Sequence, residues 1–198
     1  MNSMHRENHE HHHHFNYAEM YERSKSMYNV PEIMEKINIR EGSHIAEPGC
    51  GPGFFTIPLA ERVFPSGKVY AIDSNYGALS MLKKHIRDRP ELHGTIEIHH
   101  ANMIHTSLRD HSVDCIFLAN VFHDIEDTNA FAVEAKRILK KGGKIIDFDW
   151  SKSENGFGPP NEIRIDMDRA QEIFRNLDFR VERAFELGLY HYCIIARD

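Results

Sequence analysis

The sequence predicts a doubly wound α/β fold: a seven-stranded sheet, mostly parallel, finished by a C-terminal antiparallel hairpin and preceded by N-terminal cap helices. Three observations carry this expectation. Between residues 44 and 149 short apolar runs alternate with amphipathic segments of helical period, and parallel neighbours joined by right-handed crossovers place helices on both faces of a sheet. A glycine-rich stretch follows the first apolar run, at the strand exit where open α/β sheets bind ligands. Near the end, two strand-like runs at 179–186 and 189–196 are separated only by Leu187-Gly188, which reads as a hairpin.

The bulk composition sets the frame. A chain of 198 residues with 41% hydrophobic and 27% charged residues suits one domain with a sizeable core. A net charge of −6 argues against a broad nucleic-acid surface, while leaving room for a local basic patch. No run approaches the ~20 apolar residues of a membrane span, and no signal peptide is evident, so a cytoplasmic location is expected. The three cysteines, Cys50, Cys115 and Cys193, lack CxxC spacing and read as reduced thiols.

Taken in order, residues 1–14 form a polar, histidine-rich tail in which His11, His12, His13 and His14 invite adventitious divalent metal, with no structural metal site expected elsewhere. Residues 15–40 hold two cap helices, 15–28 and 31–37, the second with Pro31 at its first position. The remainder, 41–198, is the α/β domain. Its first five strands are expected at 44–47, 68–73, 95–99, 113–119 and 144–149. Helices are expected at 54–63, 76–89 and 128–139, the last closed by Lys140-Lys141-Gly142-Gly143 in the manner of a basic, glycine-capped helix end, with a further helix at 168–177.

The chemistry concentrates at strand exits. The first exit reads Glu47-Pro48-Gly49-Cys50-Gly51-Pro52-Gly53. Glycines there permit a sharp turn and close backbone approach to a ligand. Their G-x-G-x-G spacing, with Phe54 where a third dinucleotide glycine would fall, disfavours a pyrophosphate cofactor. Glu47 suits an ammonium-bearing cofactor instead. Asp73 ends the second strand, where an acidic side chain takes ribose hydroxyls, and Ser74 follows it; the alternative role for Asp73 is a helix N-cap. After the fourth strand comes Asn120-Val121-Phe122-His123-Asp124. His123 titrates near neutrality and suits a general base, or else it hydrogen-bonds its own loop. The fifth strand ends at Asp149-Trp150 ahead of a long loop, 151–164, which reads as a substrate lid with Trp150 and Phe157 as walls.

The E-x-G-x-G-x-G pattern of Glu47 to Gly53, the acidic Asp73 and the terminal hairpin resemble the class I S-adenosylmethionine-dependent methyltransferases. Asp149-Trp150, Gly158-Pro159-Pro160 and Tyr190-His191-Tyr192 resemble small ubiquinone/menaquinone-methylation-like members of unassigned substrate. The resemblance covers roughly residues 28–197 and implies a Rossmann-like sheet with S-adenosyl-L-methionine as cofactor. It implies cofactor contacts at Glu47, Gly49, Gly51, Gly53, Asp73, Ser74, Asn102, Met103 and Asn120, where Asn102 replaces the usual aspartate. It further implies a methyl acceptor lying among Tyr28, Asp149, Trp150 and Phe157, with His123 at the catalytic position. The acceptor is expected to be a small molecule, because the Asn-Pro-Pro-Tyr motif of base-methylating enzymes is absent.

Three other functions compete. Arsenite methylation needs several cysteines converging on the substrate side. A dehydrogenase would use Tyr21 and Lys25 as a Y-x-x-x-K pair, but that pair precedes the core and the glycine spacing is wrong. A non-catalytic S-adenosylmethionine or metal binder would present a filled pocket rather than a polar one under an ordered lid. Oligomeric state leaves no trace in the sequence.

Overall fold

The computed structural model describes residues 16–153 and 158–198; the histidine tail and Phe157 lie outside them. Two helices come first, α1 (Tyr17–Met27) and α2 (Val30–Ile37). Each starts on an asparagine, Asn16 and Asn29, whose side chain accepts from the backbone N–H three residues on. Helix α2 buries Ile33 and Ile37, four apart on one face, whereas α1 buries no residue fully and lies across the surface.

The sheet is built from β1 (His44–Pro48), β2 (Lys68–Asp73), β3 (Ile96–His100), β4 (Val113–Ala119), β5 (Leu139–Trp150), β6 (Arg180–Leu187) and β7 (His191–Arg197). Their order is β3-β2-β1-β4-β5-β7-β6, with β1 to β5 parallel and β7 antiparallel to both neighbours. The chain reverses direction between β3 and β4, so the switch point falls beside β1, at its carboxyl end. Helices α3 (Thr56–Val63) and α4 (Tyr76–Arg87) cover one face with α2, and α5 (Thr128–Ile138) and α6 (Met167–Asn176) cover the other. Burial on both faces explains why β4 reads as continuous apolar sequence.

Among the boundaries that differ from expectation, two have a clear physical reason. Helix α3 starts at Thr56 rather than residue 54, because Phe54 and Phe55 are still turning out of the glycine loop. Helix α5 ends at Ile138, and Leu139 already pairs with Val113 of β4. The stretch Lys140 to Gly143 is therefore an irregularity inside the β4–β5 ladder, where pairing resumes at Cys115 and Lys144. Basic residues followed by glycine imitate a helix end, but strand pairing of Leu139 takes precedence.

Candidate functional site

The glycine loop is shaped by its own neighbours before any ligand is considered. Gly49, Gly51 and Gly53 all have positive φ, 73°, 56° and 88°. A Cβ on Gly49 would meet Val121 Cγ1 at 2.6 Å, and one on Gly53 would collide with Leu82. Packing alone therefore excludes a side chain at those two positions, whatever their role toward a ligand. Of the three, Gly51 alone has room for a Cβ, with Met20 of α1 in ordinary contact at 3.6 Å. The loop is pinned to β2: the Gly49 and Cys50 amides donate to the Ile72 carbonyl at 2.8 and 3.1 Å, and the Gly51 amide donates to Asp73 Oδ2 at 2.8 Å.

Asp73 thus ties the β1 exit to the β2 exit. Its other oxygen accepts from the Asn75 amide at 2.8 Å, and Asn75 itself caps α4 by accepting from Gly77 and Ala78, so Asp73 is free of the capping role. Ser74 contributes its carbonyl to His100 Nε2 at 2.9 Å. Glu47 is buried, 2% exposed, and accepts from the Thr56 hydroxyl at 2.5 Å. Burial pushes its carboxyl up to about 8 despite that bond, with Asp73 adding like charge. Asn102 is exposed at the β3 exit, bridged to His105, while Met103 packs against the cluster on the α5 face.

Asn120 ends β4 with φ 58°, a left-handed conformation that asparagine tolerates better than most residues. Its Nδ2 donates to the Tyr28 hydroxyl at 2.9 Å, while its buried Oδ1 has no partner among the described residues. An orphaned acceptor at the ligand edge is a place for a donor from a bound molecule. Tyr28 sits at the joint between α1 and α2, in an aromatic box with Phe54, Phe55, Phe148 and His191. Its hydroxyl lies 3.3 Å from His191 Nε2. Burial, with Arg164 adding positive charge, pulls His191 down to about 3, so this imidazole is neutral.

His123 occupies a short turn after β4, and its Nδ1 lies 2.8 Å from Asp149 Oδ1. Asp149 also accepts from the His123 amide at 3.2 Å and from its following amide, Trp150, at 2.7 Å. Both side chains are buried, and Asp124 Oδ1 lies 3.5 Å from His123 Nε2. Burial opposes the charged imidazole, but the bond and charge of Asp149, with Asp124 behind them, prevail and raise His123 above its ordinary value.

Two of the expected acceptor-pocket walls are placed differently. Asp149 is 1% exposed and committed to His123 and Trp150, so it positions rather than lines. Trp150 is covered by Gly158, whose would-be Cβ lies 2.7 Å from the indole, and flanked by His191 at 4.1 Å between ring centroids. Arg164 stacks 5.3 Å from the indole and donates to the carbonyls of Ser151, Ser153 and Pro159, tying these described residues to one side chain. The open cavity lies beyond, ≈ 190 Å³, among Met27, Tyr28, Ile33, Phe148, Leu187 and His191. Of the expected pocket residues, Tyr28 lines it. His191 was missed, although a histidine opening an otherwise apolar run was a usable signal.

The competing sites fail on the same geometry. Tyr21 stacks on His85 and Lys25 pairs with Glu22, so the Y-x-x-x-K pair is spent on packing. All three cysteines are buried, and burial raises their thiols, so none presents a thiolate to a metalloid. Among the described residues no cluster of three ligating side chains could hold a metal, and no helix is long and apolar enough to cross a membrane.

Residues 46–147, from β1 through most of β5, match the methyltransferase domain family. The chain belongs to that family. A solved S-adenosylmethionine-dependent methyltransferase from Aquifex aeolicus superposes with a TM-score of 0.85 at 26% identity, covering 91% of this chain and 96% of that one. A demethylmenaquinone methyltransferase from Anoxybacillus flavithermus is 27% identical over 121 residues, 61% of this chain and 50% of its own length. The chain thus spans about half the length of the curated relatives it matches. The geranyl diphosphate C-methyltransferase of Streptomyces coelicolor, solved with S-adenosyl-L-homocysteine, shares the fold at TM-score 0.69 and 11% identity, covering 85% of this chain and 74% of that one. By family and fold the chain carries a class I methyltransferase domain, and the orphaned Asn120 oxygen, the acidic Glu47 and the room at Gly51 fit S-adenosylmethionine as its cofactor.

Proposed function

We propose that this methyltransferase moves a methyl group from S-adenosylmethionine to a small, largely apolar acceptor held between the α1–α2 joint and the β6–β7 turn. The observation that supports the reading most is the Gly51–Asp73 bond, which joins the glycine loop to a carboxylate placed for ribose hydroxyls. Glu47 and Asn120 Oδ1 would take the ammonium end of the cofactor. Gly49 and Gly53 shape the turn, Gly51 admits the ligand, and Ser74, Asn102 and Met103 border the adenosine side.

The cofactor supplies a methyl already activated by its sulfonium, so the protein's task is alignment and exclusion of water. Tyr28 and His191 wall the acceptor cleft, and the Trp150–Arg164 stack packs against His191 from the side. Where the acceptor carries a proton, His123 is the group to remove it. Asp149 accepts from Nδ1–H and leaves Nε2 as the basic nitrogen, and it favours the imidazolium that forms. The demethylmenaquinone methyltransferases among the relatives act, by name, on demethylmenaquinone.

Replacing Asp73 by Ala tests the reading. Affinity for S-adenosylhomocysteine, measured by calorimetry, is expected to fall at least ~10-fold, the equivalent of about 1.4 kcal/mol. Unchanged affinity in a folded variant would remove the Asp73 edge from the cofactor site.

A further inference from the structure

A second cleft, ≈ 280 Å³, opens at the amino ends of β1, β4 and β5, the end of the sheet opposite the glycine loop. By the rise along β4 from Cys115 to Asn120 it lies roughly 16 Å from the cofactor edge. In a chain of net charge −6 its walls are conspicuously basic: Arg40, Lys140, Lys141, Lys144 and Arg197, with Asp114 as the one lining carboxylate.

The ladder irregularity creates this arrangement. Four residues, Lys140 to Gly143, stand against Asp114 alone on β4, so the loop bulges outward and sets two lysines beside the start of the parallel stretch. Gly142, at φ 72°, turns the corner with open space where its Cβ would be. The lysine-glycine run that imitated a helix end in the sequence is the rim of a cleft.

The cations are unequally satisfied. Lys140 pairs with Asp114 at 2.8 Å, and Arg197 pairs with Glu182 at 2.9 Å. Lys144 donates to the carbonyls of Ile37 and Asn38, at 2.9 and 3.2 Å, and finds no carboxylate. Arg40 and Lys141 have exposed side chains with no ion pair among the described residues. Glu41 and Asp198 stand beside the cleft without lining it; the Asp198 amide reaches the Gly143 carbonyl at 3.3 Å. Burial lowers Lys144, and the like charges of Arg197 and Arg40 lower it further, so repulsion within the cleft is only partly relieved. An anion bridging Arg40, Lys141 and Lys144 would relieve it.

We propose that this cleft binds a small polyanion of the diphosphate or phosphomonoester class. At ~30 Å³ per water the space equals about nine waters, enough for a diphosphate and too little for a polymer to be enclosed. Concentrated charge with guanidinium and ammonium donors is the chemistry that phosphate oxygens select.

The probe is inorganic pyrophosphate, titrated calorimetrically into the full chain saturated with S-adenosylhomocysteine, at constant ionic strength set with sodium chloride. Expected are saturable binding with a dissociation constant at or below ~1 mM, and at least ~10-fold weakening in the double variant Arg40→Gln, Lys141→Gln. Both positions are exposed, so the variant should fold; unchanged S-adenosylhomocysteine affinity checks this, and Lys141→Gln alone serves as a second variant. No saturable binding, equal binding by the variants, or equal binding of sulfate would overturn the site. A single-stranded oligonucleotide that displaces pyrophosphate at lower concentration would overturn the small-anion assignment.

Discussion

Binding of S-adenosylhomocysteine is expected to expel a proton from Glu47. The side chain is 2% exposed, and its one hydrogen bond is from the Thr56 hydroxyl. Burial holds its carboxyl up to about 8, so at pH 7 about nine molecules in ten carry the proton there. An ammonium arriving beside it favours the ionised form, and the complex binds fewer protons than the free protein. Release should therefore approach ~0.9 proton per ligand at pH 7 and ~0.5 at pH 8. The sign follows: affinity rises with pH, by up to about tenfold per unit well below 8, and flattens above it. Calorimetry in two buffers of different ionisation enthalpy at pH 7 reads the proton number from the difference in apparent heat. Glu47→Gln keeps the side chain's size and its bond to Thr56 and should bring the number to nearly zero. A wild-type value near zero, or the same value in the variant, would refute the assignment of Glu47 to the ammonium end.

Asp149→Asn should lower the His123 pKa to below its ordinary value, seen by NMR titration of the imidazole, because burial then acts without the bond and charge of the carboxylate that outweigh it. The buried acceptor serves three donors, so a stability loss of about 1–3 kcal/mol is expected in chemical denaturation. Since the folded His123 pKa is raised, its stabilising contribution is full below the unfolded value and fades as pH rises through the folded one; the loss should be larger at pH 6 than at pH 9. Gly158→Ala places a Cβ against the Trp150 ring at a backbone of φ 74°. The left-handed backbone alone costs about 1–2 kcal/mol, so the melting temperature should fall. As the chain holds one tryptophan, its fluorescence should report the loosened loop directly.

The sheet was legible because burial on both faces turns strands such as β4 into unbroken apolar runs, and because helices α3 to α5 alternate with them. The terminal hairpin was legible from its tight spacing. The start of β5 was not, since Lys140 to Gly143 has the composition of a helix end, and only pairing of Leu139 with Val113 shows otherwise. At the site, Glu47, Asp73 and Asn120 are legible as polar residues at strand exits. The roles of Gly49 and Gly53 were not, because Val121 and Leu82, which exclude their Cβ atoms, are distant in sequence. Asp149 reads as a pocket wall by position; that it turns inward to His123 depends on the turn after β4, which no local pattern encodes.

As proposed, the glycine loop accepts an amino-acid-bearing nucleoside rather than a dinucleotide. Calorimetric titration of the protein with S-adenosylhomocysteine and, separately, with NAD tests it most directly. Saturable binding of one S-adenosylhomocysteine per chain with no heat from NAD is the result predicted; binding of NAD without S-adenosylhomocysteine would contradict it.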